Sequence, residues 1–180
     1  MRFVPRRFGT SILVLAAIAA GSALTESAKA QDAQDTASTN AEARVGYSGQ
    51  SVPRFVALKK DKVFGRAGPG LEDPVVVIYR REGLPVKVIA ETPDNVWRRI
   101  EDQDGRRVWI HRAMLADNEH AITRTTAVLF AQPSREALPR ARLEEGVMAR
   151  LENCEGEWCR VRTDDFRGWT NRGLLWGSPL

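Results

Sequence analysis

From Arg54 onward the chain alternates short apolar runs with turn residues. Phe55-Val56-Ala57-Leu58, Val75-Val76-Val77-Ile78-Tyr79, Val86-Lys87-Val88-Ile89 and Arg107-Val108-Trp109-Ile110 are β-like runs. Between them lie Gly68-Pro69-Gly70, Glu82-Gly83, Thr92-Pro93-Asp94-Asn95 and Asp102-Gln103-Asp104-Gly105. Strands recurring every ~8–12 residues with turn signals between them are the pattern of a small barrel or sandwich. No window keeps a helical apolar period over three turns. Arg135 to Leu151 comes nearest, and Pro139 and Gly146 interrupt it. The pattern predicts an all-β chain.

The two halves repeat one another. Gly83 matches Gly146, Trp97 matches Trp158, Gly105 matches Gly168 and Trp109 matches Trp169. Arg112 and Leu115 then match Arg172 and Leu175, with spacings of 60 to 63 residues absorbed in the turns. Six ordered matches predict two copies of one β unit. The first spans residues 54–118 and the second 119–180.

The N-terminal part has another texture. Arg2, Arg6 and Arg7 precede the uncharged apolar stretch Ile12 to Gly21, and Ala28-Lys29-Ala30 supplies a small-x-small cleavage pattern. Residues 1–30 therefore read as an export signal rather than an anchor, since a membrane span needs about 20 apolar residues. Residues 31–53 are small and polar, with Val45, Tyr47 and Val52 standing alone, and read as a flexible leader. Of 27 basic and 23 acidic residues, the signal holds four basic and one acidic, which leaves the mature chain 23 against 22. The formal +4 thus belongs mostly to the signal, and a nucleic-acid partner loses its main support. After cleavage no membrane span is expected. The expected location is extracytoplasmic, in the periplasm or its equivalent.

Both units resemble bacterial SH3-like domains. The first carries Val63-Phe64-Gly65-Arg66-Ala67-Gly68-Pro69-Gly70, Gly83-Leu84-Pro85-Val86, Trp97-Arg98-Arg99-Ile100 and Val108-Trp109-Ile110-His111. The second carries Leu143-Glu144-Glu145-Gly146, Trp158-Cys159-Arg160-Val161 and Gly168-Trp169, and the chain ends with a Leu175-Trp176-Gly177 tail similar to that of exported tandem SH3-like proteins. The resemblance implies two tandem five-stranded barrels that bind peptides or cell-wall components. Three departures stand out. The family usually has Asn-Val where this chain has Phe64-Gly65, Val108 replaces the usual glycine before Trp109, and Phe130-Ala131-Gln132-Pro133 replaces the Arg-x-Gly-Pro turn in the second unit.

Candidate chemistry is sparse. Cys154 and Cys159 flank Glu155-Gly156-Glu157-Trp158, a hairpin tip, and in an oxidising compartment a disulfide is the expectation ahead of a redox or metal role. Alignment places Pro93 and Arg98 at the equivalent positions. With only His111 and His120 to add, a tetrahedral metal site lacks ligands, and no cofactor is expected. Neither Gly-x-Ser-x-Gly nor His-Glu-x-x-His occurs, so no enzyme activity is expected. Strand alternation puts Trp97 with Arg99 and Glu101, and Trp158 with Arg160 and Arg162. That favours half-exposed shelves, while capping the small barrels is the competing role for all four tryptophans. The candidate ligand residues are Arg66, Trp97, Trp109, Trp158 and Trp169. The sequence reading is an exported, non-enzymatic module that binds peptide or peptidoglycan material. The alternative is an assembly subunit with a protein partner, showing an exposed apolar patch near Trp176.

Overall fold

The repeat predicted from the tryptophans appears in three dimensions as one strand order used twice. The computed structural model describes residues 43–180, so the expected export signal over residues 1–30, like residues 31–42, lies outside the described residues. A short hairpin comes first, β1 (Arg44–Val45) and β2 (Ser51–Val52). The first barrel contains β3 (Arg54–Leu58), β4 (Val63–Arg66), β5 (Val75–Tyr79), β6 (Pro85–Glu91), β7 (Trp97–Glu101), β8 (Arg107–His111) and β9 (Leu115–Ala116). The second contains β10 (His120–Thr123), β11 (Ala127–Phe130), β12 (Pro139–Leu143), β13 (Met148–Glu155), β14 (Trp158–Arg162), β15 (Arg167–Asn171) and β16 (Leu175–Trp176).

The sheets run β5-β4-β8-β7-β6-β3-β9 and β12-β11-β15-β14-β13-β10-β16, the same order in each repeat. Each sheet has seven strands, two more than the five expected per barrel. All four β-like runs read from the sequence lie on strands. Residues 135–151 become a turn followed by β12 and part of β13.

Each barrel closes over alternate inward side chains. Leu58, Val63, Val86, Val88, Ile100, Val108 and Ile110 fill the first, and Ala121, Leu129, Leu143, Ala149, Cys159, Val161 and Leu175 the second. Gly83 and Gly146 adopt φ of +76° and +78°, where a side chain would be strained, and donate to Leu58 O and Thr123 O. Gly105 and Gly168, matched in sequence, do not correspond in space. Gly105 makes the β7–β8 turn with φ +79°, whereas Gly168 stands inside β15, opposite Val161.

Two departures from the family pattern compensate each other. Strand register places Gly65 where the second barrel has Leu129, and Val108 where it has Gly168. A Cβ on Gly65 would fall 2.5 Å from Val77 Cγ1 and 2.7 Å from Val108 Cγ2. One on Gly168 would meet Leu129 Cβ at 2.9 Å. Each barrel thus keeps one large and one small residue at this crossing, in opposite order. Gly65→Ala is expected to destabilise by about 1–3 kcal/mol through overpacking, and adding Val108→Ala to recover part of that loss. Urea unfolding of both singles and the double measures the coupling.

Residues 43–53 differ from the expected flexible leader. Val52, isolated in sequence, is buried and joins the first core. The β1–β2 hairpin is held to the barrel by Glu91, which accepts from Ser48 N–H and Ser48 Oγ at 2.7 Å each. Arg54 Nη1 at 2.8 Å and Arg98 Nε at 3.2 Å complete the ring of donors. Burial opposes ionisation of Glu91, but these hydrogen bonds and cations outweigh it and hold the carboxyl below its ordinary range.

The two barrels meet through the tail. Trp176 pairs with Ile122 as Ala116 pairs with Ala57, so it points outward from its own barrel. It is nonetheless only 7% exposed, because the first barrel covers it. Its Nε1–H donates to Pro85 O at 3.0 Å, and its ring meets Phe55 edge-on at 5.0 Å. Lys87 Nζ lies 5.0 Å from the same ring. Gly177 is packed so closely that a Cβ would lie 2.7 Å from His120 O and 2.8 Å from Pro85 Cβ. The exposed patch expected near Trp176 is therefore replaced by a contact between barrels.

Candidate functional site

Residues facing each other across adjacent strands share one face of a sheet. Register therefore sorts the candidates. On the first barrel, Ile100, Val108 and Ile110 point inward, which turns Trp97, Arg99, Trp109 and His111 outward. Trp109 stands opposite Arg99 on one side and Arg66 on the other, forming a row Arg66–Trp109–Arg99 over β4, β8 and β7. The next row holds Trp97 opposite His111, with rings edge-on at 5.4 Å. Three candidates thus converge on one outward face.

Their exposure is unequal. Trp97, expected on a half-exposed shelf, is only 6% exposed, with His111 set against its ring. Trp109 is half-buried and Arg99 is exposed. Arg66 spends one donor on Asp73 O at 2.7 Å, clasping the Gly68-Pro69-Gly70 turn. A Cβ on Gly68 would lie 2.6 Å from the Asp73 carboxylate, so that side chain fills the turn. Arg66 positions the turn as well as flanking Trp109. Arg99 makes no ion pair among the described residues.

The second barrel builds the same rows with other residues. Phe130–Trp169–Arg160 replaces Arg66–Trp109–Arg99, and Trp158–Asn171 replaces Trp97–His111. Trp158 and Phe130 meet edge-on at 5.8 Å, and Arg160 Cζ lies 5.6 Å from the centre of the Trp169 ring. Trp169 is 9% exposed under this cover, while Trp158 is half-buried. Glu152 holds Arg160 at 3.1 Å and Arg167 at 2.6 Å. The second face is therefore more aromatic, and its cation is already engaged. Arg99, His111, Phe130 and Arg160 were absent from the sequence candidates. Counting register outward from each hairpin turn would have placed them beside the tryptophans.

The cysteines form a disulfide, directly opposite one another in β13 and β14 with α-carbons 4.0 Å apart. Register corrects their counterparts. Cys159 corresponds to Arg98 as expected, but Cys154 corresponds to Glu91 rather than Pro93. The first barrel uses a buried ion pair where the second uses a covalent bond. Among the described residues, no group of three or more His, Cys, Asp or Glu is arranged to hold a metal ion. Nor is any described helix long and apolar enough to cross a membrane.

Two small barrels of identical strand order, each presenting a tryptophan-bearing outer face, define a tandem all-β module. The bacterial SH3 domain model matches residues 59–117 and again residues 123–177. The chain belongs to the bacterial SH3 domain family. Curated proteins yield no match. Among solved structures it is similar to NlpC2 from Trichomonas vaginalis, at 12% identity and a TM-score of 0.32, over 69% of this chain and 48% of that one. It is also similar to NlpC1 from the same organism, at 12% identity and a TM-score of 0.31, over 68% and 45%. The chain spans about half the length of these two proteins.

Proposed function

We propose that the chain is an exported, non-enzymatic binding module that recognises peptide or peptidoglycan material in the cell envelope. Membership of the bacterial SH3 family supports association with cell-wall material. The observation that carries the finer reading is the row Arg66–Trp109–Arg99. A half-open indole offers flat apolar area, and the unengaged Arg99 guanidinium beside it suits a carboxylate of a wall peptide. The second barrel offers aromatic area at Trp158 and Phe130, with its arginine held by Glu152. The first face is thus the acidic-group reader and the second the more apolar support.

Co-sedimentation with purified sacculi tests this. Wild type pellets with the wall; Arg99→Ala weakens pelleting at least ~10-fold, since a charge-assisted contact is worth about 1.5–3 kcal/mol, and Trp109→Ala weakens it through lost apolar contact. Both variants keep near-native unfolding midpoints, because neither side chain belongs to the core cluster. Wild-type protein that stays folded in the supernatant defeats the proposal.

A further inference from the structure

The two barrels treat the same sheet edge in opposite ways. β5 ends the first sheet and β12 ends the second, each paired on one side only. In the second barrel this edge reads Pro139-Arg140-Ala141-Arg142-Leu143. A proline without an N–H and two exposed arginines are devices that keep a free edge from pairing. In the first barrel the edge reads Val75-Val76-Val77-Ile78-Tyr79, without charge or proline. Val75, Val76 and Ile78 are 42%, 56% and 43% exposed, and Phe64, opposite Ile78, is 41% exposed.

The strand is also held ready. Val77 packs on the core behind it, and Tyr79 donates to Asp102 Oδ2 at 3.0 Å, tying the edge to the β7–β8 turn. The flanking charges indicate what pairs with it. Glu72 and Asp73 precede β5, with Asp73 taken up by its own turn, and Arg80, Arg81 and Glu82 follow it. A strand running parallel would set acid against acid and base against base. A copy of the same strand running antiparallel, about a twofold axis at Val76, sets Glu72 of each against Arg80 of the other.

We propose that β5 is a self-association edge, through which two copies of this chain join their first sheets antiparallel. The interface is small, so the dimer is weak, with a dissociation constant on the order of micromolar or higher. End-to-end charge pairing makes it weaker still as salt is raised.

Sedimentation velocity over a hundredfold range of concentration is the test. Wild type shifts from monomer to dimer, and the shift moves to higher concentration in added salt. Val76→Lys/Ile78→Lys stays monomeric with an unchanged unfolding midpoint, because both positions are exposed. Arg80→Glu and Glu72→Lys each stay monomeric alone and associate when mixed, since each supplies the charge the other lacks. Wild type that remains monomeric throughout overturns the proposal. So does a dimer that survives Val76→Lys/Ile78→Lys.

Discussion

Replacing Glu91 with glutamine is expected to lower the unfolding free energy by about 3–5 kcal/mol, the usual cost of leaving buried charge uncompensated. Arg98 is almost fully buried, and Arg54 points at the same carboxylate. Removing the anion leaves two guanidiniums facing one another with little solvent to screen them. Glutamine keeps one acceptor oxygen and puts an amide N–H₂ in place of the other, so Ser48 loses one of its two acceptors and the β1–β2 hairpin loosens as well. Limited proteolysis near Tyr47 reads that release separately from the urea midpoint.

The second barrel suggests the control. Glu91→Cys/Arg98→Cys places cysteines where Cys154 and Cys159 stand in the other repeat. When oxidised, this variant should recover barrel stability without recovering protection of the hairpin, because nothing then accepts from Ser48. The pH dependence follows from the same carboxyl. Its folded-state pKa lies below the ordinary 4.5, so its stabilisation is complete above about that pH. It is lost as pH falls through the depressed folded value, and Glu91→Gln should flatten that acid limb.

Trp176→Ala is the second large effect, at about 3–5 kcal/mol for loss of a buried indole. Its location makes the consequence distinctive. The side chain belongs to the second barrel, but its partners Phe55, Pro85 and Lys87 belong to the first. In calorimetry wild type should unfold in one transition, and Trp176→Ala in two, as barrels deprived of their shared contact melt independently. Trp176→Phe keeps an aromatic ring against Phe55 and loses the donor to Pro85 O, at a cost nearer ~1 kcal/mol. A single unsplit transition in Trp176→Ala would mean that the tail does not couple the barrels.

Much of the fold was legible because it rests on period-two alternation and on turn chemistry. Glu82-Gly83 and Asp102-Gln103-Asp104-Gly105 read as turns between strands, and the match of Gly83 with Gly146 marked the repeat. What stayed hidden depends on register and on distant partners. Sequence spacing aligned Cys154 with Pro93, because the β6–β7 turn is longer than its counterpart. Only strand pairing shows that Glu91 is the equivalent residue. Val52 looked solitary, since its partners lie across the barrel. Trp97 and Trp158 share a sequence context and differ in exposure, because the residue opposite each is histidine in one repeat and asparagine in the other. Trp176 looked like an exposed tail residue because the surface that buries it lies about ninety positions earlier in the chain.

The five tryptophans provide the most direct test of the binding proposal, because each indole N–H reports a different place. The measurement is a proton–nitrogen correlation spectrum of labelled protein titrated with soluble muropeptides. The Trp109 resonance is expected to move first and furthest, Trp158 to follow, and Trp176 to stay fixed in the contact between barrels. Movement confined to Trp176, or five unmoved resonances at saturating muropeptide, would contradict the proposal.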